Sequence, residues 1–233
     1  MHRPGNTTFA IALIAAGALG VSACGRGDAD LVKGKMLFVN HCGACHVLAR
    51  ANTKGTQGPS LDSAFVQDRR DGMNSSTIEG VVRHQIGYPL RGSIMPADLV
   101  NGDDADAVAA YVGFAAGSPG KDQGPLADAG QPKTSTKPVA AKAGKLVVDA
   151  IDGTAFSAGK ALAPAGQITF QMPNKSALPH NIAIKGPVSG AGKIVPQGQT
   201  STFTVSLKPG TYTFYCQVPG HEAAGMKGTL TVK

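Results

Sequence analysis

Near the C-terminus of this 233-residue chain, Cys216, His221 and Met226 follow one another with the spacing C-x4-H-x4-M. A thiolate, an imidazole and a thioether thus share one short loop, and His180, in Leu178-Pro179-His180-Asn181, offers a second imidazole from a distant strand. Two imidazoles, a soft thiolate and a long axial thioether suit copper in electron transfer. A β-scaffold that holds copper between the geometries of its two oxidation states changes little on transfer, and low reorganisation means fast exchange. Alone, His180 would read as a solvated or turn residue and Cys216 as an inert buried thiol, but that leaves His221 and Met226 unexplained at their spacings. Far upstream, His41-Cys42-Gly43-Ala44-Cys45-His46 contains C-x-x-C-H. This is the haem c attachment signature, in which two thiols add to the haem vinyl groups and the next histidine is the proximal iron ligand. By itself a C-x-x-C equally fits a dithiol redox pair or half a zinc site.

The stretch from Tyr212 to Met226, followed by Lys227-Gly228-Thr229-Leu230-Thr231-Val232, closely resembles the plastocyanin and auracyanin class of cupredoxins. The resemblance implies one type 1 copper on His180, Cys216, His221 and Met226, with Asn181 tethering the copper loop. His221 is expected at an exposed copper edge among Pro219, Ala223, Ala224 and Met226, a small apolar patch suited to brief docking.

The N-terminal part resembles small c-type cytochromes over roughly residues 29–117. Gly58-Pro59-Ser60-Leu61 is similar to their G-P-x-L turn, whose Pro59 carbonyl would orient the proximal imidazole of His46. Gly34 and Phe38 on one helix and Tyr111 on another match the crossing of their terminal helices. Met95-Pro96 follows His46 by 49 residues, far enough for a distal loop to bring a thioether to the opposite haem face. Met/His ligation fills both axial positions. One covalent haem c is therefore expected on Cys42, Cys45, His46 and Met95. Met73, in the turn-like Asp71–Asn74, and His84, in a helical stretch, are the competing distal ligands. His41 reads as an exposed neighbour.

These residues need two scaffolds, and the sequence divides accordingly. The expected fold is multidomain: an all-α cytochrome c domain, then an all-β Greek-key cupredoxin sandwich. Asp30 and either Asp103 or Asp104 would cap the two helices that cross. Runs at 145–150, 167–172, 181–184, 200–205, 211–215 and 228–232 alternate and are rich in β-branched residues, as short strands require. Between the domains, Gly117 to Gly144 is Gly, Pro, Lys, Ala, Ser and Thr with almost no large apolar residue, too little to bury a core. As a flexible tether, these residues would have a root-mean-square span of about 30 Å. The boundaries read as 1–23 signal peptide, 24–118 cytochrome, 119–144 linker and 145–233 cupredoxin.

All four cysteines are absorbed by this reading, leaving no pair for a structural disulfide. Cys24 ends Val21-Ser22-Ala23-Cys24, which looks like a bacterial lipobox after a short basic start and an apolar stretch from Phe9 to Leu19. Lipidation there would anchor the protein outside the cytoplasm, on the periplasmic or outer face of the cytoplasmic membrane. Cleavage by an ordinary signal peptidase, with Cys24 spare, is the alternative.

The formal charge of +7 is uneven. From Lys145 to Lys233 eight lysines face three acids, a net +5, whereas from Gly25 to Ser118 nine basic residues face ten acids, a net −1. Opposite signs can steer the domains together, and a simply solvated Lys-rich surface is the bland alternative. The dispersed lysines, without interleaved aromatics, argue against nucleic acid. The reading is of an electron carrier, not an enzyme, with redox proteins such as a terminal oxidase, a reductase or a quinol-oxidising complex as partners. An enzyme or enzyme subunit related to nitrite reductases or oxidases is the alternative. It needs an open metal position. A copper-storage role leaves the haem motif unexplained.

Overall fold

The computed structural model describes residues 30–233, and the export segment with Cys24 lies outside the described residues. Five helices come first. The first, α1 (Leu31–His41), starts at Asp30, whose carboxylate accepts from the backbone N–H groups of Val32 at 2.9 Å and Lys33 at 3.0 Å. The next two, α2 (Leu61–Arg70) and α3 (Ser75–Gly87), are capped in the same way by Ser60 and Asn74. The expected cap of α4 (Gly102–Ala115) at Asp103 or Asp104 is corrected: the N-cap is Asn101. Both aspartates sit inside the first turn, where negative charge favours the helix dipole.

As expected, α1 crosses α4 at Gly34, where a Cβ would run into the Ala107 carbonyl. Phe38 and Tyr111 meet there with ring centroids 6.4 Å apart. Around them Leu48, Ile78, Val108 and Val112 complete the buried core.

Eleven strands follow, named in chain order. Six form one sheet in the order β1 (Val139–Ala140), β5 (Lys160–Ala163), β11 (Lys227–Val232), β10 (Gly210–Tyr215), β7 (Ala183–Lys185) and β8 (Gly190–Ala191). Three form a second sheet, β2 (Lys145–Val147), β6 (Gly166–Pro173) and β9 (Thr200–Leu207). A ribbon of β3 (Ala150–Ile151) and β4 (Ala155–Phe156) stands apart. Alternation sends Ile168, Phe170 and Met172 of β6 inward to meet Tyr212 and Phe214 of β10 and Leu230 of β11. The result is a two-sheet sandwich.

The segment expected to be a free linker differs from that expectation. Asp122 has its side chain only 1 % exposed, paired with Lys35 Nζ at 3.0 Å and Arg50 Nη2 at 2.8 Å, and it accepts from Tyr111 Oη at 2.8 Å. The short helix α5 (Pro125–Asp128) lends Lys35 a further acceptor, the Leu126 carbonyl at 2.7 Å. At the other end, Thr134 and Ser135 bond to the carbonyls of Phe156 and Ser157, and β1 pairs in parallel with β5. A segment without apolar bulk is thus held by backbone hydrogen bonds and one buried ion-pair cluster.

Candidate metal centres

The first centre is built on the loop that joins β10 to β11. Cys216 closes β10, and its N–H donates to the Met226 carbonyl at 3.1 Å while the N–H of Met226 donates to the His221 carbonyl at 2.9 Å. These bonds fold the loop back on itself, so that residues ten apart in sequence become neighbours. His180 enters from the second scaffold segment, clamped by reciprocal backbone bonds with Val195 at 3.1 and 2.8 Å. Cys216 Sγ lies 3.7 Å from His180 Nδ1 and 3.6 Å from His221 Nδ1, and the two nitrogens are 3.0 Å apart. This triad is the one cluster of three or more His, Cys, Asp or Glu donors among the described residues. Met226 is fully buried in the same core cluster as Cys216.

The donor triangle fits a metal ion. Two bonds of about 2.0 Å to nitrogen and 2.3 Å to sulfur, meeting at one ion near the trigonal angle, give about the sulfur–nitrogen separations seen. Burial pushes His180 down to about 3, with the neighbouring His221 adding to the effect, and pushes His221 down to about 4. Both rings are therefore neutral at ordinary pH, with lone pairs free to coordinate. Burial raises the Cys216 thiol, opposed by the backbone N–H groups of Asn181 and Val218. A bound cation removes that proton outright.

Asn181 joins the two halves of this site. Its Oδ1 accepts from the N–H of Gln217 at 2.8 Å, and its Nδ2 donates to Gln217 Oε1 and to the Gly192 carbonyl, each at 2.9 Å. The tether implied by the family likeness is present. Sequence reasoning missed Asn174, which is buried and donates to the carbonyls of Leu178 and Val195 at 2.8 and 3.0 Å, fixing the segment that carries His180. Its Asx-turn position before Ser176 was the available signal.

The second centre grows from the C-terminal end of α1. Cys42 is its C-cap, with the N–H bonded to the Phe38 carbonyl at 2.8 Å, and the chain then turns so that the N–H groups of Cys45 and His46 both reach the Cys42 carbonyl. His46 Nδ1 donates to the Pro59 carbonyl at 2.9 Å. That bond puts the proton on Nδ1 and leaves Nε2 as the coordinating atom. Gly58 lies against the ring: a Cβ there would come within 2.6 Å of His46 Cε1. The residues present fit a haem bound through His46. Burial, with a smaller contribution from Cys45, pushes the Cys42 thiol up to about 12. Dithiol oxidoreductases use a lowered thiol, and here the shift runs the other way.

Among the candidates for the other axial position, Met95 lies half-buried on the loop between α3 and α4, flanked by the exposed apolar side chains of Leu90 and Ile94. Met73 instead packs against the helical core, and His84 is exposed on α3 with its ring 5.2 Å from that of Tyr88. His41 is half-buried at the end of α1, not exposed as expected, and burial lowers its pKa. A second correction concerns His221. It is 5 % exposed, its ring packed beside His180 and Cys216, and the neighbouring Gly220 approaches Gln57 and Ala44 of the helical domain.

Residues 143–233 match the family of copper binding proteins described as plastocyanin/azurin, and residues 31–113 match cytochrome c. The chain therefore joins a cytochrome c domain to a blue copper domain, both electron carriers, and carries one haem c and one type 1 copper. It is similar to rusticyanin of Acidithiobacillus ferrooxidans, 36% identical over 87 residues that take in 36% of this chain and 54% of that protein. It thus spans about half the length of that curated relative. Reduced auracyanin of Roseiflexus castenholzii is 27% identical, the match covering 40% of this chain and 99% of that one, with a TM-score of 0.37. Auracyanin A of Chloroflexus aurantiacus is 22% identical, with 38% and 98% covered and a TM-score of 0.34.

Proposed function

We propose that this chain is a membrane-anchored, extracytoplasmic carrier that passes single electrons between its haem and its copper and onward to a redox partner. The observation that carries the reading is the buried triangle of His180, Cys216 and His221 in a chain that also carries C-x-x-C-H. Cys42, Cys45, His46 and Met95 would hold the haem. His180, Cys216, His221 and Met226 hold the copper. Bound there, the two metals supply one-electron oxidation and reduction. The protein's residues keep each site rigid: Pro59 fixes the tautomer of His46, and Asn181 fixes the loop that carries Cys216. Burial of His180, Cys216 and Met226 keeps bulk water from the donor atoms. The partner belongs to the class of terminal oxidases, reductases or quinol-oxidising complexes. The anchor is a lipid on Cys24.

Two substitutions in the full chain test this reading. Cys216→Ser should abolish the thiolate-to-copper charge-transfer band and leave the haem spectrum intact, and a variant that stayed blue would end the copper assignment. In parallel, Cys24→Ser should shift the protein out of the detergent-extracted membrane fraction. Equal retention of both forms, with cleavage of the signal verified by mass, would remove the lipid anchor from the account.

A further inference from the structure

One part of the copper loop lies against the helical domain, while Gln217, Pro219, Ala223 and Gly225 stay exposed. Gly220, the residue before His221, sits so close to the haem-attachment segment that a Cβ on it would lie 3.0 Å from Gln57 Cγ and 3.4 Å from the Ala44 carbonyl oxygen. Ala44 is the residue before Cys45. A copper ligand and a haem-bearing cysteine are thus each next in sequence to one of two residues, Gly220 and Ala44, whose backbones approach too closely for a side chain on Gly220 to fit without contact. The same seam continues at Gly153, in the turn between β3 and β4, where a Cβ would lie 3.2 Å from the Val39 carbonyl. Both glycines have positive φ, 83° and 66°, so their missing side chains serve the turn and the close approach together. Among the described residues no ion pair crosses from 30–118 to 145–233.

What holds a seam without ion pairs is the strap. Gly130 packs on Val39, and Thr134 is already bonded to Phe156, so only residues 131–133 bridge the domains freely. The four steps from Gly130 to Thr134 span at most about 14 Å. That is far shorter than the reach of a freely jointed segment of the same strap, about 30 Å. Asp122, buried against Lys35, Arg50 and Tyr111, fixes the near end.

Resting on the ligand assignment above, we propose that the contact of Gly220–His221 with Ala44–Cys45 is a fixed intramolecular electron-transfer junction. The imidazole edge of the copper site then serves the chain's own haem instead of an outside protein. One electron crosses the seam per event: one centre is oxidised as the other is reduced, and no bond forms or breaks.

The test uses the loaded full chain. Pulsed electron paramagnetic resonance between Cu(II) and the ferric haem should give one narrow distance distribution, and equilibration after flash reduction should be independent of protein concentration and of added salt. Gln57→Trp places a ring where Gly220 sits and should lift the loop. It should broaden the distance distribution and slow equilibration by roughly tenfold or more, since each transfer then waits on a tethered encounter. Asp122→Asn, which removes the charge at the strap without bulk, should broaden the distribution in the same sense. A rate that rises linearly with protein concentration, or unchanged distances and rates in Gln57→Trp, would overturn the junction while leaving the ligand assignment standing. Loss of either chromophore from the unaltered chain would instead overturn the ligand assignment, and the junction with it.

Discussion

The imidazoles of the two centres are prepared for metal in different ways. His46 is oriented from outside by one carbonyl, that of Pro59, so its tautomer is set by a hydrogen bond. His180 and His221 are kept neutral by burial, and their position is set by strand ends and a closed loop. The spacing of Cys216, His221 and Met226 was legible because all three lie on one loop. The role of Asn174 was not, since a buried asparagine in a turn looks like a solvated one until its acceptors are known. Met95 carries the residue-scale prediction. Met95→Ala should open the sixth haem position, lower the potential and create affinity for carbon monoxide in the ferrous state. Met73→Ala, which removes only a half-buried packing contact, should cost at most about 2 kcal/mol and leave the haem spectrum unchanged. Carbon monoxide binding by the second variant and not the first would reverse the assignment.

At the scale of elements, capping and alternation were readable for physical reasons. Asp30 stands immediately before an apolar helical period and was read as a cap, the caps at Ser60, Asn74 and Asn101 were not, and β6, β10 and β11 alternate over six residues or more. Strands β1, β3, β4 and β8 have two residues each, too few to show a period. The strap was hidden by composition. Asp122 sits among Gly, Pro and Lys and reads as solvated, while its partners Lys35 and Arg50 lie 87 and 72 residues away. Burial opposes ionisation of Asp122, yet hydrogen bonds from Lys35, Tyr111 and Arg50 prevail and hold its carboxyl below the usual carboxylate range. A lowered carboxyl stabilises the fold above its unfolded value, about 3.9, and loses that contribution as pH falls through the folded value. Asp122→Ala, which leaves Lys35 buried without its counter-charge, should therefore destabilise the cytochrome domain by about 3–5 kcal/mol near neutrality. In acid, below about pH 4, the difference from the unaltered chain should shrink in thermal melts. A gap in melting temperature that did not change with pH would mean that Asp122 acts by packing alone.

The whole molecule departs most from what sequence could say. Each domain was legible by itself because its motif and its core pattern are local. The approach of Gly220 to Gln57 and Ala44 was not, because it depends on where the other domain sits, and the purpose of Gly220 and Gly153 shows only across the seam. The uneven charge, a net +5 against −1, suggested attraction between domains. The contact instead consists of close backbone approach, with the ion pairs inside each domain or at the strap. The account's central claim is that one chain holds two one-electron centres. A potentiometric titration of the intact, loaded protein, following the haem band and the thiolate-to-copper band in the same sample, tests it most directly. Both bands should titrate reversibly, each as a single one-electron step. A chain in which only one chromophore titrated, or in which the blue band was absent while the haem cycled normally, would contradict it.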